Sequence, residues 1–130
     1  MDVGKLKEDI QKHIKLSDNI SVLESVDQLD IEKIADGILT VWVTWSDGYS
    51  NCVHLIKLLQ DNYYRGQIIE IDNDSFSSAF QEKTFGRVAL HGWGEIFVIK
   101  NGQIIKEFTG KESSINFKLY QDMILTRDLG

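Results

Sequence analysis

The 130-residue chain carries 20 acidic and 14 basic residues, and 42% of its residues are apolar. These proportions are typical of a globular domain, and the acidic excess argues against nucleic acid or an anionic membrane surface as a partner while permitting a basic protein. No apolar run approaches the roughly 20 residues of a membrane span. The first residues lack a signal peptide's apolar centre, and the lone Cys52 excludes an intramolecular disulfide, so we expect a cytoplasmic protein.

Apolar spacing divides the chain into helices and strands. In chain order, the predicted elements are helix 5–15, strand 19–25, helix 25–37, strand 38–45, helix 50–62, strand 66–74, helix 75–86, strands 95–100 and 103–110, and helix 114–126. Gly37 is the expected C-cap of the second helix, Asp74 or Ser75 the expected N-cap of the fourth, and Asn101-Gly102 the turn of a terminal hairpin. This order predicts a single domain over residues 1–130, with a mixed sheet between helices.

Three stretches carry a resemblance to a known family. In "WSDGYSNC", Trp45 and Cys52 have the separation of the first tryptophan and second cysteine in the W-x-x-W-C-x-x-C motif of thioredoxins. The stretches "IEIDND" and "EIFVIKNGQIIKEFTG" are similar to that family's later strands. The ordered set, over residues 20–126, resembles the thioredoxin family. It implies a thioredoxin-like α/β fold, with residues 1–19 as an added N-terminal helical extension.

The chain departs from the family's pattern at the active site. Position by position, Tyr49 stands where the family has its nucleophilic cysteine, Cys52 at the buried resolving cysteine, and Gly94 at the cis-proline. Because a cis bond before a non-proline residue costs roughly 2.5–4 kcal/mol, we expect the bond before Gly94 to be trans. A phenol with a pKa of about 10 supplies no thiolate for disulfide exchange. We therefore expect no redox catalysis of the thioredoxin type. We also expect a protein that is not an enzyme and holds no cofactor, with a monothiol oxidoreductase as the alternative.

Two interpretations of Cys52 remain. It begins the apolar helical set that continues with Leu55, Ile56 and Leu59, which favours ordinary core packing. The alternative is a reactive monothiol in a redox or glutathione-linked protein. His54 falls on the polar side of the same helix without a second ligand at metal-binding spacing, so we expect a solvated histidine and no metal site.

Aromatic and acidic residues predict two alternative binding surfaces. The resemblance implies that the loops with Tyr49 and with Trp93-Gly94 face each other across a substrate groove. The side chains of Tyr49 and Trp93 are either exposed in this groove or buried beside it, and the sequence does not decide between the two. We expect Trp45 to pack half-buried beside them. The second surface is the acidic group on the second helix, which is either a solvated face or a docking patch for a basic protein. Its members are Asp27, Asp30, Glu32 and Asp36.

These features favour a redox-inactive, thioredoxin-like protein that acts by binding another protein. Within that class the chain fits an immunity or inhibitor protein that neutralises a basic toxin, or an adaptor or maturation chaperone. The alternative, from the enzyme class, is the monothiol protein that uses Cys52.

Overall fold

The structure, a computed structural model, describes residues 3–45 and 48–108. Three helices and five strands make up this part of the chain. In chain order they are α1 (Val3–Gln11), β1 (Ile20–Val22), β2 (Asp36–Trp42), α2 (Gly48–Asp61), β3 (Gln67–Asp72), α3 (Ser78–Phe85), β4 (Ile96–Lys100) and β5 (Gln103–Phe108). None of the described helices combines the length and the apolar character that crossing a membrane requires.

The five strands form one mixed sheet in the order β1-β3-β2-β4-β5. β3 is parallel to both β1 and β2, whereas β4 is antiparallel to β2 and to β5. The central strands β2 and β3 are buried on both sides and are therefore nearly continuous runs of apolar residues. This arrangement confirms the expected mixed sheet between helices, with α1 as an added N-terminal helix.

Side-chain alternation along β2 sends its residues to two separate cores. Leu39 and Val41 face one side, where Phe85 of α3 stacks on Phe97 with ring centroids 4.3 Å apart. Ile38 and Trp42 face the other side, which α2 covers. The buried face of α1 packs at the Trp42 end of this second side and contributes Leu6, Ile10 and, just beyond the helix, Ile14. The predicted first helix is thus confirmed, although it ends at Gln11 and not at residue 15.

The predicted helix over residues 25–37 is wrong. The segment forms two separate 3₁₀ turns, Val26–Gln28 and Ile31–Lys33, and Gly37 lies inside β2 and is not a helix cap. Its apolar residues would be spread over about 200° of an α-helix, whereas two short turns direct all of them onto the core beside α3. These residues are Val26, Leu29, Ile31 and Ile34.

The remaining boundaries need smaller corrections. The N-cap of α3 is Ser77, whose hydroxyl oxygen accepts a hydrogen bond from the Phe80 amide at 3.0 Å. Asp72, before the expected cap residues, accepts from the Asp74 amide and caps the short turn Asn73–Ser75 instead. The Asn101-Gly102 hairpin is confirmed, with φ of 52° and 75° at its two residues. The predicted helix over residues 114–126 lies outside the described residues.

Candidate functional site

Two loops meet beyond the end of β2, which is where the fold brings the aromatic candidates together. One loop leads from β2 into α2, and the other leads from α3 into β4. A side chain at Gly48 would collide with the main chain of Trp93, so only glycine permits the approach of the two loops. The Asn51 amide nitrogen donates a hydrogen bond to the Trp93 carbonyl oxygen at 3.2 Å. The two loops therefore face each other, as the resemblance implied.

Gly94 occupies the closest point of this approach. Its φ is 73°, and a Cβ atom there would lie 2.7 Å from the Gly48 carbonyl oxygen and 3.0 Å from the Cys52 sulfur. The peptide bond before Gly94 is trans, like the other bonds between described residues. A proline ring, which requires φ near −65°, does not fit this backbone.

A buried carboxylate holds the Trp93 loop from beneath. Glu95 is fully buried, and its two oxygens accept hydrogen bonds from the amides of His91 and Trp93, each at 3.2 Å. Bonds from backbone amides stabilise a buried carboxylate and fix the loop that donates them. The sequence analysis missed this residue, although an acidic residue directly before the apolar run "IFVI" was a usable signal.

Cys52 is buried beneath the two loops. Its sulfur is shielded by Gly94 and lies 3.6 Å from the Val41 carbonyl oxygen, to which the thiol donates. Burial raises the pKa of the Cys52 thiol far above its usual value. The predicted burial is confirmed, and the thiol is neutral as well as shielded.

Tyr49 turns away from Trp93 and toward the N-terminal helix. Its hydroxyl donates to Asp9 Oδ1 at 3.1 Å and lies 2.8 Å from Nε2 of His13, so the imidazole acts as the donor to the phenol oxygen. The second oxygen of Asp9 accepts from the Trp42 indole nitrogen at 2.8 Å. Burial, followed by the hydrogen bond to Asp9, raises the pKa of Tyr49. The half-buried side chain therefore belongs to the α1 contact and not to the groove.

Trp45 is the exposed aromatic residue of the site. Its side chain is 60% exposed, with the ring edge against the Cα atom of Gly92, so the expectation that it packs half-buried is wrong. The reason is that β2 ends at Trp42, and Trp45 lies beyond the alternation that would turn a side chain into the core. Trp93 is half-buried. Trp45 and Trp93 together form the surface that we call the tryptophan surface.

The acidic candidates lie on a separate surface. Asp27, Asp30, Glu32 and Asp36 are all exposed. The carbonyl of Glu32 packs on Gly102 at the hairpin tip, and Asp36 begins β2, so these two residues lie at the end of the sheet opposite Trp45. Since a strand rises about 3.3 Å per residue, the length of β2 separates Glu32 and Asp36 from Trp45 by about 20 Å.

Glu70 is a second buried carboxyl group that the sequence analysis missed. It pairs with Thr40 in the sheet register and lies in the interior, and neither of its oxygens has a hydrogen-bonding partner among residues 3–45 and 48–108. Burial raises the pKa of Glu70 well above its usual value, and this effect outweighs the lowering by the nearby Thr40 hydroxyl. The signal was a glutamate inside the otherwise apolar run "IIEI".

The described residues contain no group of three histidine, cysteine or acidic side chains placed to hold a metal ion. No protein-family model matches the chain, and no curated protein matches it either. Solved structures match over most of its length. Mitochondrial thioredoxin 3 from Saccharomyces cerevisiae is 22% identical and superposes with a TM-score of 0.54, over 79% of this chain and 94% of its own.

Two further thioredoxins have the same architecture. Thioredoxin from Plasmodium falciparum is 18% identical with a TM-score of 0.56, over 78% of this chain and 97% of its own. Thioredoxin O2 from Arabidopsis thaliana is 14% identical with a TM-score of 0.58, over 86% and 97%. Identities this low establish architecture alone. The chain has a thioredoxin-like fold, with α1 added before the first strand.

Proposed function

We propose that the protein binds another protein and does not exchange thiols with disulfides. The observation that carries this proposal is the pairing of Tyr49 with Asp9 and His13 at the position where thioredoxins place their nucleophilic cysteine. The one thiol nearby, Cys52, is shielded, and its raised pKa keeps it protonated at neutral pH. Exchange requires an accessible thiolate and a second thiol to resolve the mixed disulfide.

The tryptophan surface is the better candidate for the contact. Aromatic residues dominate the energetics of protein interfaces, and 60% of the Trp45 side chain is open to solvent. The loop beneath it is held by Glu95 and Asn51, so little conformational entropy is lost when a partner binds. The acidic surface is the alternative contact. Charges at such a surface increase the association rate with a basic partner more than the affinity.

Within this class, the proposed roles are an inhibitor or immunity protein for a basic toxin, or an adaptor or maturation chaperone in the cytoplasm. The net charge of −6 supports a basic partner and disfavours nucleic acid and anionic membranes. A monothiol enzyme that uses Cys52 is the less favoured hypothesis. The Gly94 loop would have to move away from α2 before a substrate could reach the Cys52 sulfur.

The first experiment tests the redox claim. The protein is assayed for insulin reduction with a thioredoxin reductase, beside Cys52→Ser and a thioredoxin as positive control. We expect both forms of this protein to remain at background. Turnover by the unaltered protein that disappears in Cys52→Ser would show that the protein is a monothiol enzyme and would refute the proposed function.

The second experiment locates the contact, using a partner captured from the source cell. Trp45→Ala and Trp93→Ala are compared with the charge reversal Asp30→Lys/Glu32→Lys. Loss of an interface anchor costs about 2 kcal/mol, so we expect a roughly thirtyfold loss of affinity, through faster release that is insensitive to salt. A salt-sensitive loss of association rate in the charge reversal alone would move the contact to the acidic surface.

A further inference from the structure

Tyr63 combines an unfavourable backbone with an exposed side chain. Helix α2 ends in a Schellman motif, in which the Tyr63 amide donates to the Gln60 carbonyl at 3.1 Å and the Tyr64 amide donates to the Leu59 carbonyl at 3.0 Å. This motif places Tyr63 at the left-handed position, with φ of 54°, where glycine is usual. Its side chain is 86% exposed, so no core packing compensates for the strain.

Among the described residues, the other non-glycine residue with positive φ is Asn101 in the hairpin turn, and asparagine tolerates that conformation well. Tyrosine has no such tolerance. Strained residues tend to persist where a function requires their side chain. The position of Tyr63 therefore points to a task for its ring outside the fold of the domain.

The ring of Tyr63 borders a groove between the turn at residues 17–19 and the end of α2. The groove has a volume of about 560 Å³ and is open to solvent on one side. Its apolar floor is Leu59 and Ile68, which are both buried. One wall is held in place by Asn19, whose amide nitrogen donates to the carbonyls of Tyr64 at 2.8 Å and Gly66 at 3.0 Å. The groove, which we call the Tyr63 groove, is therefore preformed.

The charges around the Tyr63 groove favour a cation. Asp18 lies on its rim, and Asp61 is the last residue of α2, where the helix carbonyls contribute further negative potential. The Tyr64 hydroxyl donates to Asp36 Oδ1 at 3.2 Å, which connects the groove to the acidic end of the sheet. Arg65 also lines the groove and adds one positive charge, against the three negative charges of Asp18, Asp36 and Asp61. An exposed tyrosine ring beside carboxylates is the chemistry that binds lysine or arginine.

We propose that the Tyr63 groove binds a lysine- or arginine-bearing segment of a partner protein, with the cation over the Tyr63 ring and near Asp18. The groove is remote from the tryptophan surface, since it lies at the start of β3 and that surface lies beyond the end of β2. Binding at the Tyr63 groove can therefore be tested separately from binding at the tryptophan surface.

The test uses the whole chain and two capped peptides of alternating residues, Gly-Arg and Gly-Glu, each repeated three times. Backbone amide shifts are followed by NMR during titration at 0.15 M salt, which screens distant charges. We expect the arginine peptide to shift the amides of residues 17–19 and 60–66, and the glutamate peptide to shift none of them. Shifts confined to residues 27–36 or to the Trp45 loop would overturn the proposal.

Two variants test the ring itself. Tyr63→Asn keeps a residue that tolerates the left-handed conformation but removes the ring, so binding of the arginine peptide should weaken about two- to fivefold. Tyr63→Phe keeps the ring and should bind as the unaltered protein does. Ile105→Ala, at an exposed apolar position of the opposite edge strand β5, is the control and should leave the affinity unchanged.

Stability supplies a second readout of the same variant. Tyr63→Asn should raise the melting temperature, because the strain is relieved and little buried area is lost. Equal affinity of Tyr63→Asn and the unaltered protein for the arginine peptide would refute the proposal. A lower melting temperature of Tyr63→Asn would show that the backbone at Tyr63 is not strained, and this result would also refute the proposal.

Discussion

Replacing Glu70 by glutamine should remove a pH dependence from the stability of the fold. The Glu70 side chain is 0% exposed, and its carboxyl oxygens lack hydrogen-bonding partners in the described part of the chain. A carboxylate in this position would be desolvated without compensation, so the native protein keeps the proton and the pKa of Glu70 is raised well above 4.5. Glutamine has nearly the same shape and cannot ionise.

The sign of the effect follows from the two pKa values of Glu70. In the unfolded chain the carboxyl group loses its proton near pH 4.3, whereas in the native protein it remains protonated to higher pH. Between these values the native state binds one more proton than the unfolded state, so stability falls as pH rises. One proton corresponds to about 1.4 kcal/mol per pH unit, or up to about 2.7 kcal/mol between pH 5 and pH 7.

Urea unfolding at pH 5, 6 and 7 measures this slope. The free energy of unfolding of Glu70→Gln minus that of the unaltered protein should increase steadily with pH. The buried Cys52 thiol and the partly buried phenols of Tyr49 and Tyr64 also have raised pKa values, but unfolded values of about 8.5 for cysteine and 10 for tyrosine place their effects above this range. Glu82→Gln, at an exposed position of α3, is the matched control. Parallel profiles for Glu70→Gln and the unaltered protein would refute the reasoning.

Three further predictions concern the packing around the site. Asp9→Ala should lower the free energy of unfolding by about 2–3 kcal/mol, because the buried Trp42 indole loses its hydrogen-bond acceptor. Asp9→Asn should lower it by less, and equal losses for the two variants would contradict this reasoning. Gly94→Ala should lower the free energy of unfolding in urea by more than about 2 kcal/mol, because the added methyl group meets Gly48 and Cys52. Gly86→Ala is the control, since Gly86 has a φ of 80° but open space around it, so its loss reflects the backbone strain alone. Similar losses for the two variants would contradict the steric explanation. The Cys52 thiol should react with a thiol reagent at least about a hundredfold more slowly in the native than in the denatured protein, and equal rates would disprove its protection.

Local patterns were enough to predict most of the elements. The apolar runs of β2, β3 and β4, the spacing of Leu6 and Ile10 in α1, and the Asn101-Gly102 turn each specify a conformation through their own residues. The segment at residues 25–37 failed because its composition suits a helix, while its apolar positions fit the core only as two short turns. At that segment, tertiary packing overrode the local preference.

The amino-acid sequence by itself predicted most of the strands and helices, favoured the burial of Cys52 and placed a tyrosine, Tyr49, where the resemblance implied a cysteine. Only the tertiary structure decided where the Tyr49 hydroxyl points, that Trp45 faces solvent, and that the buried Glu70 carboxyl group has no hydrogen-bonding partner among the described residues. The physical reason is the distance along the chain between the partners. Asp9 and Tyr49 are 40 residues apart, and they meet because the apolar faces of α1 and α2 cover the same end of the sheet. No local period encodes such a contact, whereas the periods of 2 and 3.6 residues encode the elements themselves.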